Sequence, residues 1–92
     1  MFQRNATKSN VASSASDVQL LAENPRRQFC VIFNDSTQVL YVSFGSTAAS
    51  ATSYSYKLGA GDTLEVNRLE FNGEIRGIWA SANGNARITE VV

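Results

Sequence analysis

Histidine is absent from the 92-residue sequence, and cysteine and proline each occur only once. Without histidine there is no Ser-His or Cys-His nucleophile pair, and the commonest metal ligand is missing. The single cysteine, Cys30, rules out an internal disulfide and a cysteine-based zinc site. Cys30 lies within the apolar run of residues 29–33, which indicates a buried thiol that packs as a small hydrophobe.

Net charge is also absent, because eight basic and eight acidic residues cancel. Binding to nucleic acid or to an acidic membrane needs a clustered positive field, so neither is expected as a partner. No stretch approaches the roughly 20 apolar residues of a membrane span, and no signal peptide is visible. We therefore expect synthesis in a reducing cytoplasm. A low charge gives weak protection against self-association and is typical of a protein within an assembly.

Apolar residues recur at every second position from residue 18 onward, and no window shows the spacing of a helix. Turn-forming residues separate these short alternating segments. The pattern predicts an all-β fold: a small antiparallel β-sandwich or barrel, jelly-roll-like, with six to seven short strands. Its predicted core is Phe33, Leu40, Val42, Phe44, Leu58, Leu64, Val66, Ile75 and Ile88.

Two further features bear on how the strands connect and pack. Asn72-Gly73 and Asn83-Gly84 predict type I′ hairpin turns, and the second places Trp79 opposite Ile88. Residues 29–33 are apolar on both faces of their strand, whereas a sandwich core covers one face. A second sheet, the N-terminal segment or a neighbouring subunit must therefore cover the other face.

The first 16 residues are small and polar after Phe2, and they predict a flexible N-terminal arm ahead of a single domain over residues 17–92. In such an arm Phe2 can anchor in an apolar pocket, while Arg4 and Lys8 can pair with carboxylates. The adjacent pair Arg26-Arg27 can hold a carboxylate or phosphate, although solvation of both side chains beside Pro25 is the simpler interpretation. The candidate partner-binding residues are Phe2, Arg4, Lys8, Arg26 and Arg27.

No residue pattern indicates catalysis or a cofactor. Among the eight acids, the pair needed for glycoside hydrolysis could in principle be Glu65 with Glu70 or Glu70 with Glu74, but strand alternation and flanking turns predict that these side chains are solvated. The turn of residues 59–62 precedes a strand and not a helix, so it lacks the amides of a phosphate site. We expect a protein that is not an enzyme and has no cofactor or metal. The aromatic residues predict either cross-strand packing or a sugar-binding surface: Tyr41, Tyr54, Tyr56 and Trp79.

Several segments resemble small virion structural proteins of tailed bacteriophages. They are residues 11–22, residues 32–36 leading into 40–45, and residues 77–90. The similarity spans about residues 11–91 and consists of strands and turns. It implies a β-rich structural component of the virion with no catalytic residues.

The resemblance implies a capsid decoration (cement) protein that binds the major capsid protein or other virion proteins and stabilises the capsid exterior. Self-association as a trimer is expected, because decoration sites lie where capsid subunits converge. The alternatives are a tail, collar or fibre-attachment adaptor and, from another class, a carbohydrate-binding module. Deletion of residues 2–16 is expected to leave the domain folded and to weaken attachment.

Overall fold

The computed structural model of the protein describes residues 5–92, which form eight strands and contain no helix. The short alternating segments fold as strands because β-branched and aromatic residues fit a pleated, half-buried surface. The strands are β1 (Ala6–Ala12), β2 (Val18–Leu21), β3 (Phe29–Asp35), β4 (Leu40–Phe44), β5 (Tyr56–Leu58), β6 (Thr63–Asn67), β7 (Ile75–Trp79) and β8 (Asn85–Val91).

The strands form two four-stranded antiparallel sheets, in the orders β1-β8-β3-β6 and β2-β7-β4-β5. Strands that follow one another in the chain lie in different sheets, except β4 and β5. This order is that of an eight-stranded jelly roll. The predicted small antiparallel sandwich is therefore confirmed, with eight strands where six or seven were expected.

The additional strand is β1, which comes from the segment predicted to be a flexible arm. It pairs with β8 through seven consecutive residues without a register shift. The amide of Ser13 continues the contact by donating to the carbonyl of Gly84 at 3.0 Å. The structure thus differs from the predicted boundary at residue 16. Backbone hydrogen bonds place this segment in the first sheet, although its side chains are almost all exposed.

The core between the sheets is apolar and contains most of the predicted residues: Leu40, Val42, Leu58, Leu64, Val66, Ile75 and Ile88. Phe44 is partly buried and packs against this cluster, with the ring of Phe71 stacked on it at a centroid distance of 4.7 Å. The prediction of Phe33 as a core residue is wrong. Cys30 and Ile32 occupy the inward positions of β3, so Phe33 lies on the outer face.

Both predicted hairpins are wrong, because the strands on either side of each turn lie in different sheets. Gly84 has a φ of 79°, as predicted, but neither Asn72 nor Asn83 has a positive φ, so neither turn is type I′. Trp79 consequently pairs with Leu40 of β4 and not with Ile88.

A buried amide joins the two sheets where β3 ends. Asn34 is fully buried, and its Oδ1 accepts a hydrogen bond from the indole Nε1 of Trp79 at 3.1 Å. Its Nδ2 donates to the carbonyls of Gln38, Leu58 and Gly59 at 2.8, 3.0 and 3.1 Å. These carbonyls lie just before β4 and at the end of β5, where strand pairing stops. One side chain of the first sheet therefore satisfies backbone groups of the second.

Two leucines test the core directly. Leu40 is fully buried, whereas Leu69 is 91% exposed. We expect Leu40→Ala to lower the free energy of unfolding by about 2–5 kcal/mol, because it removes buried apolar surface and leaves a cavity. Leu69→Ala, the same chemical change at the surface, is expected to stay within about 0.5 kcal/mol. Urea denaturation measures both, and equal effects would contradict the assigned core.

Two glycines with nearly the same φ distinguish the cost of a strained backbone from the cost of a steric clash with an added side chain. Gly84 and Gly61 have φ values of 79° and 81°, and a Cβ at Gly61 would meet nothing within 4 Å. A Cβ at Gly84 would collide with the carbonyl oxygen of Asp35 and lie 2.8 Å from the Cα of Ser36. We expect Gly61→Ala to cost about 1–2 kcal/mol. Gly84→Ala should cost a further 1–3 kcal/mol or so through overpacking, measured by thermal denaturation.

Candidate interaction surface

The outer face of the first sheet carries an apolar stripe. Phe29, Val31 and Phe33 point outward from β3 because the residues between them face the core. The strand register places Val91 of β8 beside Phe29 on the same face. All four side chains are partly exposed. We call these four residues the outer stripe; it is the apolar face of residues 29–33 that the core does not cover.

Opposite charges lie on either side of the outer stripe. The register aligns Lys8, Thr89, Val31 and Glu65 in one row across β1, β8, β3 and β6. Lys8 and Glu65 are exposed at the two ends of this row, about 14 Å apart across three strand spacings. Within residues 5–92 neither side chain forms an ion pair. The sheet therefore presents a positive side, an apolar centre and a negative side.

On the outer face of the second sheet, one arginine forms ion pairs with two carboxylates. Arg76 donates to Asp17 Oδ2 at 2.5 Å and to Glu74 Oε2 at 2.6 Å. Gln19 also donates to Glu74, at 2.7 Å. Asp17 Oδ1 in turn accepts the amide of Ala49 at 2.6 Å, which ties the loop after β4 to this face.

These contacts shift the acidities of the carboxyl groups. Hydrogen bonds from Arg76 hold the pKa of Asp17 below its ordinary value despite the opposing effect of burial. Hydrogen bonds from Gln19 and then from Arg76 lower the pKa of Glu74. Asp17, Glu74 and Arg76 are thus paired within the chain. On the first face Arg87 is likewise paired with Asp35, at 2.8 Å, whereas Lys8 and Glu65 form no ion pair within residues 5–92.

The predicted partner-binding residues lie in different environments. Phe2 and Arg4 fall outside the described residues. Lys8 is exposed on β1, and Arg26 is exposed in the turn between β2 and β3, where its amide donates to Asn24 Oδ1 at 3.0 Å. Lys8 lies on β1 of the first sheet and Arg26 in the turn between β2 and β3, and of the two only Lys8 belongs to the row that crosses the outer stripe.

The prediction of Arg27 as a partner-binding residue is wrong. Its side chain is fully buried, so it is neither solvated nor accessible to a partner. Its Nε donates to Glu90 Oε2 at 2.8 Å, in an ion pair at the end of β8. Its two Nη atoms donate to the carbonyls of Gly73 and Ala22, at 3.0 and 2.5 Å. Arg27 thus holds together three parts of the fold, a role that the neighbouring exposed arginine does not share.

The aromatic residues also divide between core and surface. Trp79 is buried, and its indole Nε1 donates a hydrogen bond to Asn34 Oδ1. Tyr54 and Tyr56 are 44% and 40% exposed, and the ring of Tyr54 lies 5.0 Å from that of Tyr41. A small tyrosine surface therefore exists beside β4 and β5, without the predicted tryptophan.

Other candidate chemistry is sparse in the described part of the chain. Cys30 is fully buried, and burial raises the pKa of its thiol, which confirms its packing as a small hydrophobe. Residues 5–92 contain no cluster of metal-binding side chains and form no detectable pocket. Nor does this range include a helix able to cross a membrane.

Comparison with known proteins does not assign a family. The chain matches no protein-family model, and no curated protein is significantly similar to it. The function must therefore be argued from the jelly roll and from the surfaces described above.

The carboxylates around Arg76 predict an acid dependence of stability. Because the folded-state pKa values of Asp17 and Glu74 are depressed, their stabilising contribution is present above the unfolded-state values and is lost as the pH falls through the folded ones. Between about pH 5 and pH 2 the free energy of unfolding should fall less steeply in Arg76→Met than in the wild type. Arg68→Met, at an exposed arginine, is the matched control. Identical pH profiles for wild type and Arg76→Met would contradict the assignment.

Proposed function

We propose that the protein is a non-enzymatic structural component of a bacteriophage virion, and that it binds and stabilises the capsid exterior as a decoration protein. The observation that carries the proposal is the outer stripe, a partly exposed apolar surface on a two-sheet fold, which suits contact with another subunit of an assembly, including a second copy of this chain. Exposed apolar patches of this kind mark interaction sites. Jelly rolls occur in viral capsid and lectin domains, so the fold is compatible with the role without implying it.

The segments that resemble phage virion proteins support the proposal. Residues 32–36 and 40–45 include the end of β3 and all of β4, while residues 77–90 cover most of β7 and β8. Asn34 and Trp79, whose hydrogen bond joins the sheets, both lie within these segments. The resemblance is thus carried by residues that build the framework and favours a structural role over a catalytic one.

The edge strand β1 offers a means of attachment to the major capsid protein. It is seven residues long, and among residues 5–92 only β8 pairs with it, on one side. An extended segment of a partner can add to such an edge through backbone hydrogen bonds. The exposed cation Arg26, which lies outside the row of Lys8 and Glu65, can pair with a carboxylate of the capsid surface. Deleting residues 2–16 does not separate attachment from folding, because it removes β1 and leaves one edge of β8 unpaired, while β3 still pairs with its other edge.

The number of copies in purified particles tests the proposal. We expect cryo-EM or quantitative mass spectrometry to find hundreds of copies on the capsid, because decoration follows the lattice of capsid subunits. About six or twelve copies would instead identify a tail, collar or fibre-attachment adaptor, as symmetry at those positions requires. Absence from washed particles would contradict a virion role altogether.

A carbohydrate-binding module is the second candidate, favoured by exposed Tyr54 and Tyr56. Aromatic faces stack on flat ligands, and lectins also use jelly rolls. Binding on a glycan array that is lost in Tyr54→Ala would support this candidate. A silent array would leave the virion proposal in place.

A further inference from the structure

The row of Lys8, Thr89, Val31 and Glu65 has opposite charges at its two ends and a short, partly apolar centre. From this arrangement we infer that the outer face of the first sheet is a two-fold contact with a second copy of the same chain. The inference does not rest on the virion proposal, because dimerisation is measured in solution with the purified protein.

The symmetry follows from the strand order. Sheets that pack face to face lie about 10 Å apart, with their strand directions within about 30°. A two-fold axis between the sheets and along the strands places β1 over β6 of the second copy, because the order β1-β8-β3-β6 is reversed across the axis. Lys8 then faces Glu65 of the second copy, and the symmetry repeats this pair on the opposite side. Two long side chains can bridge the distance between the sheets.

The other face-to-face arrangement is unfavourable. A two-fold axis that runs across the strands along this row places each strand over the equivalent strand of the second copy. Lys8 then faces Lys8 of the second copy, and Glu65 faces Glu65. Like charges placed together at an interface oppose association. The charge distribution therefore selects the axis along the strands.

The centre of the contact is also complementary under this symmetry. β3 lies over β8 of the second copy, so the outer stripe meets apolar or small side chains and one guanidinium. An arginine over an aromatic ring is a favourable contact. The facing pairs are Val31 with Thr89, Phe29 with Val91, and Phe33 with Arg87, each occurring twice. Arg87 also donates its Nε to Asp35 Oδ2 of its own chain at 2.8 Å, and this ion pair holds the guanidinium on the outer face.

The structure favours this face over the other one. The second sheet pairs Arg76 with Asp17 and Glu74 inside the chain and ties its own loop to that surface. In the described residues, Lys8 and Glu65 lack such partners. A two-fold contact uses the same surface on both copies and closes on itself. The trimer expected from the resemblance remains a prediction and would require a different surface.

Charge reversal tests the contact. Sedimentation equilibrium should detect a dimer between about 10 μM and about 1 mM, a range suited to an interface at the small end of the usual sizes. Lys8→Glu and Glu65→Lys each create two like-charge contacts and should each raise the dissociation constant at least about tenfold. The double variant restores both pairs with reversed polarity and should recover most of the affinity.

The control is Lys57→Glu, which changes the net charge as Lys8→Glu does but lies on β5 of the second sheet. It should dimerise like the wild type, and circular dichroism should show that all variants remain folded. A wild type that stays monomeric over this range overturns the inference. A dimer that is insensitive to both single reversals, or that the double variant does not restore, also overturns it by assigning association to another surface such as the edge of β1.

Discussion

The carboxamide of Asn34 supplies hydrogen bonds at the place where the chain leaves one sheet for the other. At each such crossing the strand pairing ends, and buried backbone groups need another partner. Asn34 donates to three carbonyls beside β4 and β5 and accepts from Trp79 of β7. Leu40, Ile75 and the other core residues supply apolar burial, but that burial is non-directional. The amide adds the directional contacts that align the two sheets.

Arg27 performs a related task at the other end of β3. A buried guanidinium is costly unless its donors are satisfied, and here Glu90 and two backbone carbonyls accept from it. Within residues 5–92 no buried side-chain polar atom lacks a hydrogen-bond partner. Asn34 and Arg27 therefore anchor both ends of β3, the strand that carries most of the outer stripe. These buried hydrogen bonds therefore fix the position of the strand that carries the outer stripe.

Period-two alternation was enough to predict the fold class and most of the core, because the sheets face a core on one side. It could not orient residues 29–33, which are apolar on both sides, and Phe33 was therefore assigned inward. β1 gave no signal, since backbone hydrogen bonds hold it in place and its side chains bury little. Lys8 was predicted to pair with carboxylates of a partner, but its alignment with Glu65 depends on pairing between distant strands. The sequence does not distinguish Arg27 from Arg26, because it does not show which of two adjacent arginines is buried.

The position of β8 has a consequence for how the chain is made. Among the strands of residues 5–92 this one comes last, yet it lies between β1 and β3 and pairs with both within the first sheet. During synthesis, β1 therefore has no neighbour and the inner edge of β3 is unpaired until Asn85–Val91 has emerged from the ribosome. Contacts between such distant parts of a chain form slowly, and unpaired edges favour association with other chains. The first sheet closes only after its final strand is synthesised, so a nascent chain must keep its open edges from aggregating until then.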